Sequence, residues 1–167
     1  MRQMTEKSLR EAFAGESQAH MKYLVFAEQA EKEGLHDVAR LFRAIAYAEQ
    51  VHATNHFKAL MELKETSHNL ESAWGGENFE IEEMYPAYNA IATLQDEKEA
   101  MRSIHFALSA EKIHRELYAT TKEKVDKGEE VKFDKISICP VCGYTVIGEA
   151  PDKCPICGAP KSSFKEF

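Results

Sequence analysis

The chain carries two Glu-x-x-His pairs, Glu49 with His52 and Glu111 with His114, each inside a long stretch of helical periodicity. Residues three apart on an α-helix share a face, so each pair presents a carboxylate and an imidazole together. Two such pairs on different helices, joined by glutamates from two further helices, form the ligand pattern that binds a pair of iron or manganese ions in helix bundles. The chain offers three candidates for those further ligands: Glu16, Glu77 and Glu80.

The proposed ligands follow the apolar stripes of their helices. Before Glu49, apolar residues recur at steps of three and four (Val38, Leu41 and Ile45), which is the spacing of a helix face that points into a bundle. An isolated carboxylate in such a place costs several kcal/mol of desolvation and is more stable protonated. The five glutamates carry a combined negative charge that two divalent cations nearly neutralise. The sequence therefore predicts a pair of metal ions on these stripes.

The periodicity predicts four helices that form two similar hairpins. Glu16 precedes Glu49 by 33 residues and Glu77 precedes Glu111 by 34, which indicates an internal repeat. Gly75 and Gly76 predict a break in the chain just before Glu77. The first hairpin is expected to consist of a helix capped by Thr5 and ending at Gly34, followed by a helix from Asp37 to about Glu65. A loop over residues 66–76 should follow. The second hairpin is expected to consist of a helix from Glu77 to Leu94, kinked at Pro86, and a helix from Asp96 to near Gly128.

All four cysteines lie in the last 29 residues, in two Cys-x-x-Cys-Gly motifs whose cysteine pairs are separated by eleven residues. Four thiolates at this spacing predict a single tetrahedral metal site, and both zinc and iron accept four sulfur ligands. A zinc ribbon is the commoner use of the pattern, whereas a neighbouring redox-active metal pair favours iron. The four predicted ligands are Cys139, Cys142, Cys154 and Cys157.

Composition excludes several other classes of protein. The net charge of −7 argues against a nucleic-acid partner, because phosphate binding relies on clustered Lys and Arg. No apolar run approaches the ~20 residues of a membrane span. The first residues lack the apolar core of a signal peptide, so a cytoplasmic location is expected. Among the remaining histidines, His20 is expected to pack or to support a ligand, and His56 could form a zinc-type pair with His52.

The chain resembles the rubrerythrin family over essentially its whole length. The resemblance is carried by AGES at Glu16, AEQVHA at Glu49, GGENFEIEEMYP at Glu77 and Glu80, and AEKIHRE at Glu111, together with the two cysteine motifs. It implies a ferritin-like four-helix bundle with a long crossover between the second and third helices, over residues 1–130. A small rubredoxin-like domain that binds metal through four cysteines is implied over residues 131–167. The loop before Glu77 looks short for the family.

The resemblance also implies a role for each site residue. Glu49 and Glu111 would bridge two irons, Glu16 and Glu77 would be terminal ligands, and His114 would bind one iron. One iron would exchange a carboxylate for a histidine on reduction, at the positions of Glu80 and His52. Tyr23 and Tyr85 match the tyrosines that support these ligands.

The family's activity is reduction of hydrogen peroxide to water in oxidative-stress defence, with electrons supplied by a donor protein through the Fe(Cys)4 site. Two alternatives stay open at this point: a ferroxidase that handles iron, and a non-catalytic scaffold or sensor with zinc in the cysteine site. The donor and the place of molecular oxygen as an oxidant are not determined by the sequence.

The length of the fourth helix leads to an expectation about assembly. From Glu111 to Lys127 the helix advances ~24 Å, and the cysteines begin a dozen residues later. A chain's own two metal sites are therefore expected to be too far apart for electron transfer, which predicts a head-to-tail homodimer. The short loop before Glu77 also makes an exchange of hairpins between subunits an open possibility.

Overall fold

The structure is a computed structural model that describes residues 1–167, and its contacts divide the chain into two compact units. The first unit is Met1–Lys64 and the second is Glu65–Phe167. The chain is mostly helical, with a small C-terminal sheet that accompanies the cysteines, as predicted. None of the helices is both long and apolar enough to cross a lipid bilayer.

The first unit is a hairpin of two long helices, α1 (Gln3–Lys32) and α2 (His36–Ala59). The helices run antiparallel, because Phe13 near the start of α1 contacts Phe57 near the end of α2, with ring centroids 5.5 Å apart. Gly34 adopts φ +76° in the turn between them, a conformation that favours glycine, so the predicted end of the first helix is confirmed. Arg2 and Leu35 occupy the N-cap positions without side-chain caps, so the predicted caps at Thr5 and Asp37 are wrong.

The second unit begins with a helix where a loop was predicted. Helix α3 covers Thr66–Phe79 and continues through a π-helical turn, Glu80–Met84, into α4, Tyr85–Leu94. The prediction was wrong because Gly75 and Gly76 lower helix propensity by only about 1 kcal/mol each, which packing of α3 against the last helix can offset. The connection between α2 and α3 is consequently limited to residues 60–65.

A π-helical turn stands directly before Pro86, where the sequence predicted a kink. The backbone N–H of Tyr85 donates to the carbonyl of Glu80, five residues earlier. Proline has no N–H to continue the ordinary bonding pattern, and it stands in the first turn of α4, where that absence is tolerated. Single π-helical turns inside α-helices frequently occur at functional sites, and this one begins at the candidate ligand Glu80.

Helix α5 (Lys98–Asp126) carries the second Glu-x-x-His pair and leads to the cysteine module. Its N-cap is Glu97 and no side chain caps it, so the capping box predicted from Asp96 is wrong. Gly128 with φ +68° follows the helix end, as predicted. Three short antiparallel strands then pair in the order β2-β1-β3: β1 Ile136–Ile138, β2 Thr145–Ile147 and β3 Lys165–Glu166.

The large apolar residues of the predicted bundle stripes are exposed. Val38 is 41%, Leu41 60% and Ile45 41% accessible, and Ile91 on α4 is 54% accessible. The expectation that these stripes are buried is therefore wrong for a single chain. The fully buried helix residues are small alanines such as Ala39 and Ala46. Each unit thus packs through its alanines and leaves a larger apolar face open.

Candidate metal centres

The first unit brings together three of the predicted ligands, Glu16 from α1 and Glu49 and His52 from α2. One potential ligand atom of each lies within 4.8 Å of the others. The Nδ1 atom of His52 is 3.0 Å from Oε2 of Glu49 and 3.8 Å from Oε1 of Glu16. The pairing of Glu49 with His52 follows from their spacing of three on one helix. This set is referred to below as the first-hairpin set.

The second unit brings together Glu77 from α3 and Glu111 and His114 from α5, again with ligand atoms within 4.8 Å of one another. The Nδ1 atom of His114 is 2.6 Å from Oε2 of Glu111. These three residues form the second-hairpin set. Its equivalence to the first-hairpin set confirms the repeat seen in the sequence, with one glutamate on the first helix and a Glu-x-x-His pair on the second.

The electrostatics of the second-hairpin set fit a cation. Burial, followed by a hydrogen bond and the charge of Glu111, raises the pKa of Glu77 to about 7. The hydrogen bond with His114 lowers the pKa of Glu111 and raises the pKa of His114. Two carboxylates this close cannot both stay ionised without a compensating positive charge, which here is a proton. A metal ion supplies the same charge and accepts all three ligand atoms.

Glu80 and Tyr85 lie close to this set without joining its compact group. Burial and the charge of Glu111 raise the pKa of Glu80. Burial raises the pKa of Tyr85, and the charges of Glu80, Glu111 and Glu77 add to the effect. Both residues therefore feel the field of the candidate centre. The role of iron ligand for Glu80 and the supporting role for Tyr85 stay predictions.

Tyr23 and two histidines have other surroundings. Tyr23 packs in an aromatic cluster, with its ring centroid 6.2 Å from those of Phe26 and Phe42. The Nδ1 atom of His20 lies 2.8 Å from the carbonyl oxygen of Ala46 and so ties α1 to α2. His56 belongs to none of the compact groups of potential ligands. A hydrogen bond from Tyr23 to a ligand carboxylate stays a prediction.

The four cysteines converge as predicted. Sγ of Cys139 is 3.5 Å from that of Cys157, and Sγ of Cys142 is 3.4 Å from that of Cys154. Thiolates around one tetrahedral metal at ~2.3 Å stand ~3.8 Å apart, whereas a disulfide would require ~2.05 Å. Burial raises the pKa of the Cys154 thiol, but backbone N–H groups of Cys157 and Ile156 outweigh it and lower that pKa to about 7. The sulfur–sulfur distances are therefore close to those of four thiolates around one metal ion and exclude disulfides.

The cysteine module packs directly beside the second-hairpin set. A Cβ at Gly143 would stand 3.5 Å from Cβ of Ala110, the residue before Glu111, and Phe106 of α5 packs against the cysteines. Nε2 of His114 is 2.8 Å from Oγ1 of Thr145. The expectation that a chain's two kinds of site are too far apart is therefore wrong. The module folds back along α5 instead of extending beyond its end.

Thr145 fixes which nitrogen of His114 is available to a metal. The Thr145 hydroxyl donates to the carbonyl of Gly143 at 3.0 Å, so its oxygen accepts the Nε2–H of His114. Nδ1, which faces Glu111, is then the nitrogen with a free lone pair once His114 is neutral. Hydrogen bonds of this kind commonly orient metal-binding imidazoles. The sequence gives no signal for Thr145, because the contact is made across the fold.

Two further residues support the second-hairpin set. Burial and the charges of Glu77 and Glu111 raise the pKa of Tyr118, which follows His114 by one helical turn. That spacing of four was the available sequence signal. The Nη1 atom of Arg115 donates to Asn78 and to Glu82, each at 3.0 Å. Arg115 thereby holds α5 against the residues that flank Glu77 and Glu80.

Two carboxylate–histidine sets on helical hairpins, with an adjacent four-cysteine site, define a ferritin-like di-iron protein that carries a rubredoxin-like module. A family model described as rubrerythrin matches residues 7–122, and one for the rubrerythrin rubredoxin-like domain matches residues 138–165. The chain belongs to the rubrerythrin family, whose members are generally oxidoreductases. Its cofactor sites are the di-iron carboxylate–histidine ligands and the four-cysteine site.

Individual relatives match over nearly the whole chain. Rubrerythrin-2 of Clostridium acetobutylicum is 43% identical, over 98% of this chain and 97% of its own. Nigerythrin of Nitratidesulfovibrio vulgaris is 34% identical, over 98% and 86% respectively. The structure of fully reduced, all-ferrous nigerythrin matches with a TM-score of 0.58, 34% identity and the same two coverages.

Proposed function

We propose that the protein is a non-haem di-iron peroxidase that reduces hydrogen peroxide to water. The observation that carries this proposal is the hydrogen bond between His114, a candidate di-iron ligand, and Thr145 of the cysteine module. It couples a site for two-electron chemistry to a site for one-electron transfer. A protein that only stored iron or bound structural zinc would have no need of that coupling.

The ligand set of the proposed centre combines both hairpins. Each contributes a Glu-x-x-His pair and one glutamate, and the resemblance to the family implies that Glu80 would exchange with His52 as the oxidation state changes. Carboxylate suits ferric iron, and imidazole suits ferrous iron. The proposed ligands are Glu16, Glu49, His52, Glu77, Glu80, Glu111 and His114, with Tyr23 and Tyr85 in support. When bound, two ferrous ions supply the two electrons that, with two protons, convert one hydrogen peroxide into two water molecules.

The chain's own groups are placed to manage the protons. In the metal-free protein, burial and the neighbouring Glu111 raise the pKa of Glu77 to about 7, so iron binding near neutral pH would displace a proton from this proposed ligand. Tyr85 and Tyr118 keep their protons at neutral pH, because burial and the surrounding carboxylates raise their pKa values. Their phenolic hydroxyls can donate hydrogen bonds to oxygen atoms without adding a negative charge to an acidic site.

The electrons for the next turnover would enter through the cysteine module. Iron bound by the four thiolates cycles between Fe(III) and Fe(II), whereas zinc does not change oxidation state. From Cys142 the chain runs through Gly143 and Tyr144 to Thr145, whose hydroxyl meets His114 across a single hydrogen bond. The electron source is proposed to be a redox donor protein or reductase.

Anaerobic spectroscopy and rapid mixing test the proposal. The iron-loaded, fully reduced protein holds three ferrous ions per chain, so about 1.5 equivalents of hydrogen peroxide per di-iron centre should oxidise it completely, with water as product and the ferric four-thiolate absorption returning. Cys142→Ser should still permit a single oxidation at the di-iron centre but prevent turnover. If oxygen oxidises ferrous iron rapidly while peroxide reacts slowly, the protein is a ferroxidase. A colourless, zinc-filled cysteine site in cells would favour a scaffold or sensor.

The remaining expectations stay part of the proposal. We expect the residues 1–130 and 131–167 to act as the di-iron and electron-transfer domains. Four unpaired cysteines suit a reducing compartment, in agreement with a cytoplasmic location. A homodimer is also expected, although the separation of the metal sites no longer supports it.

A further inference from the structure

We infer that helix α5 supplies one wall of the four-cysteine metal site and that the ring of Phe106, by keeping water away from the thiolates, sets the reduction potential of iron bound there. Phe106 lies outside the cysteine module, and no ligand motif in the sequence signals this role. The inference goes beyond the proposed function, because it concerns the four-cysteine site alone and not the reduction of peroxide.

Apolar side chains from both parts of the second unit enclose the cysteines. Three of the four cysteines are at most 6% accessible. Tyr144, Ile156 and Phe164 of the module pack against them. Among the apolar residues in contact with this cluster, Phe106 is the one that comes from a helix of the bundle. Its half-buried ring therefore closes a side of the site that the module leaves to α5.

A single stripe of α5 faces the module and holds Phe106 in place. Phe106, Ala110 and His114 follow one another at steps of four, so they share a helix face. A Cβ at Gly143 would stand 3.5 Å from that of Ala110, which means that the helix approaches the first cysteine motif closely. One turn further on, His114 is hydrogen-bonded to Thr145. Because two residues of the stripe are fixed against the module, the ring has little freedom to leave the cysteines.

The charge of the metal site determines the effect of this cover. Iron bound by four thiolates carries one net negative charge as Fe(III) and two as Fe(II). Water stabilises the doubly charged state more strongly, since solvation energy grows with the square of the charge. An apolar ring that excludes water therefore disfavours Fe(II) and lowers the reduction potential. Phe106 has no donor for a hydrogen bond to sulfur, so exclusion of water is its main effect.

Spectroelectrochemical titration of the iron-loaded, full-length protein tests the inference. The thiolate-to-iron absorption follows the cysteine site separately from iron held by the helical ligands, termed bundle iron. At the wild-type midpoint potential, Phe106→Ala should raise the ratio of Fe(II) to Fe(III) about tenfold, which corresponds to a shift of ~59 mV for one electron. Phe106→Leu keeps an apolar cover and should change the ratio less than about threefold.

Ile104→Ala is the matched control, because Ile104 lies on the same helix but lines a small cavity with Tyr88 of α4. It should leave the ratio within about twofold of wild type. A second cause of a shift is the exposed guanidinium of Arg102, whose Cζ is 5.9 Å from the Phe106 centroid and which can approach the cysteines once the ring is removed. Salt at ~1 M screens such a charge, so a shift relative to wild type that persists there comes from water.

The inference is wrong if Phe106→Ala keeps the wild-type ratio, if Ile104→Ala shifts the ratio equally, or if the shift disappears at high salt. Phe106→Gln, which replaces the ring by a hydrated amide, should raise the ratio as Phe106→Ala does. If neither variant retains iron in the cysteine site, the ring is needed to build the site and not to tune it, which also contradicts the inference. The titration contains no peroxide, so the expected ratios in a protein that fails to reduce peroxide contradict only the proposed function.

Discussion

A homodimer is expected for this protein, and the six-residue connector between α2 and α3 leaves an exchange of hairpins between its subunits open. If the hairpins are exchanged, lengthening this connector should convert the dimer into a monomer. Twelve Gly and Ser residues inserted between Lys64 and Glu65 would extend the present connector, residues 60–65, to eighteen residues. Such a flexible segment has a root-mean-square span of ~23 Å and a maximum of ~60 Å, whereas the seven residue steps from Ala59 to Thr66 now span at most ~25 Å. The two hairpins of one chain can then complete a centre by themselves.

The size of the effect follows from effective concentration. A flexible linker of matching span holds its two ends at roughly 1 mM relative to each other. Because the same contacts form in the closed monomer and in the exchanged dimer, the dimer's dissociation constant should approach that effective concentration. At ~10 µM protein, only about 2% of chains would then be dimeric.

The assay is sedimentation velocity or light scattering on the iron-loaded protein, combined with iron analysis. The insertion variant should sediment as a monomer and keep its two bundle irons. The control is the same twelve residues between Glu129 and Glu130, beyond the end of α5, which should leave the dimer intact. A dimeric insertion variant with full bundle iron would contradict an exchange of hairpins caused by the short connector. A wild-type monomer with full bundle iron would contradict it as well.

Three further predictions concern the second-hairpin set. Thr145→Val should lower the Fe(II) affinity or the rate at which the di-iron centre is re-reduced by ~10–100-fold, as measured by titration and stopped-flow absorption, respectively. Thr145→Ser should restore both quantities. Equal losses in the two variants would contradict a hydrogen-bonding role for Thr145. Fe(II) affinity should fall at least about tenfold per pH unit below pH 7 and level off at higher pH once both Glu77 and His114 are deprotonated, because iron must displace the protons that their raised pKa values retain. Binding that does not depend on pH in calorimetry would contradict this assignment. Arg115→Met should lower the free energy of unfolding of the metal-free protein by about 1–2 kcal/mol in urea, because it removes the hydrogen bonds to Asn78 and to the largely exposed Glu82. Lys112→Met on the same helix is the control and should change this free energy less.

The sequence alone identified the residues of the candidate metal sites. The spacing of Glu49 with His52 and of Glu111 with His114 fixes each pair on one helical face, and this relation is local. Two Cys-x-x-Cys-Gly motifs likewise define their cluster, because four clustered thiols, three of them buried, have few stable alternatives to a metal. The repeat between the two hairpins was visible for the same reason, since it is a property of order along the chain.

Tertiary packing decided what local rules could not. Helix α3 forms through Gly75 and Gly76, although local propensity favours a break there, because the helix packs against α5. Its early start leaves only residues 60–65 to connect α2 with α3, a result that depends on where the two helices end. The contact of Thr145 with His114 joins residues 31 positions apart and brings the cysteine module back along α5. Helix rise along the sequence gives the length of α5, but only packing determines the direction that the chain takes after it.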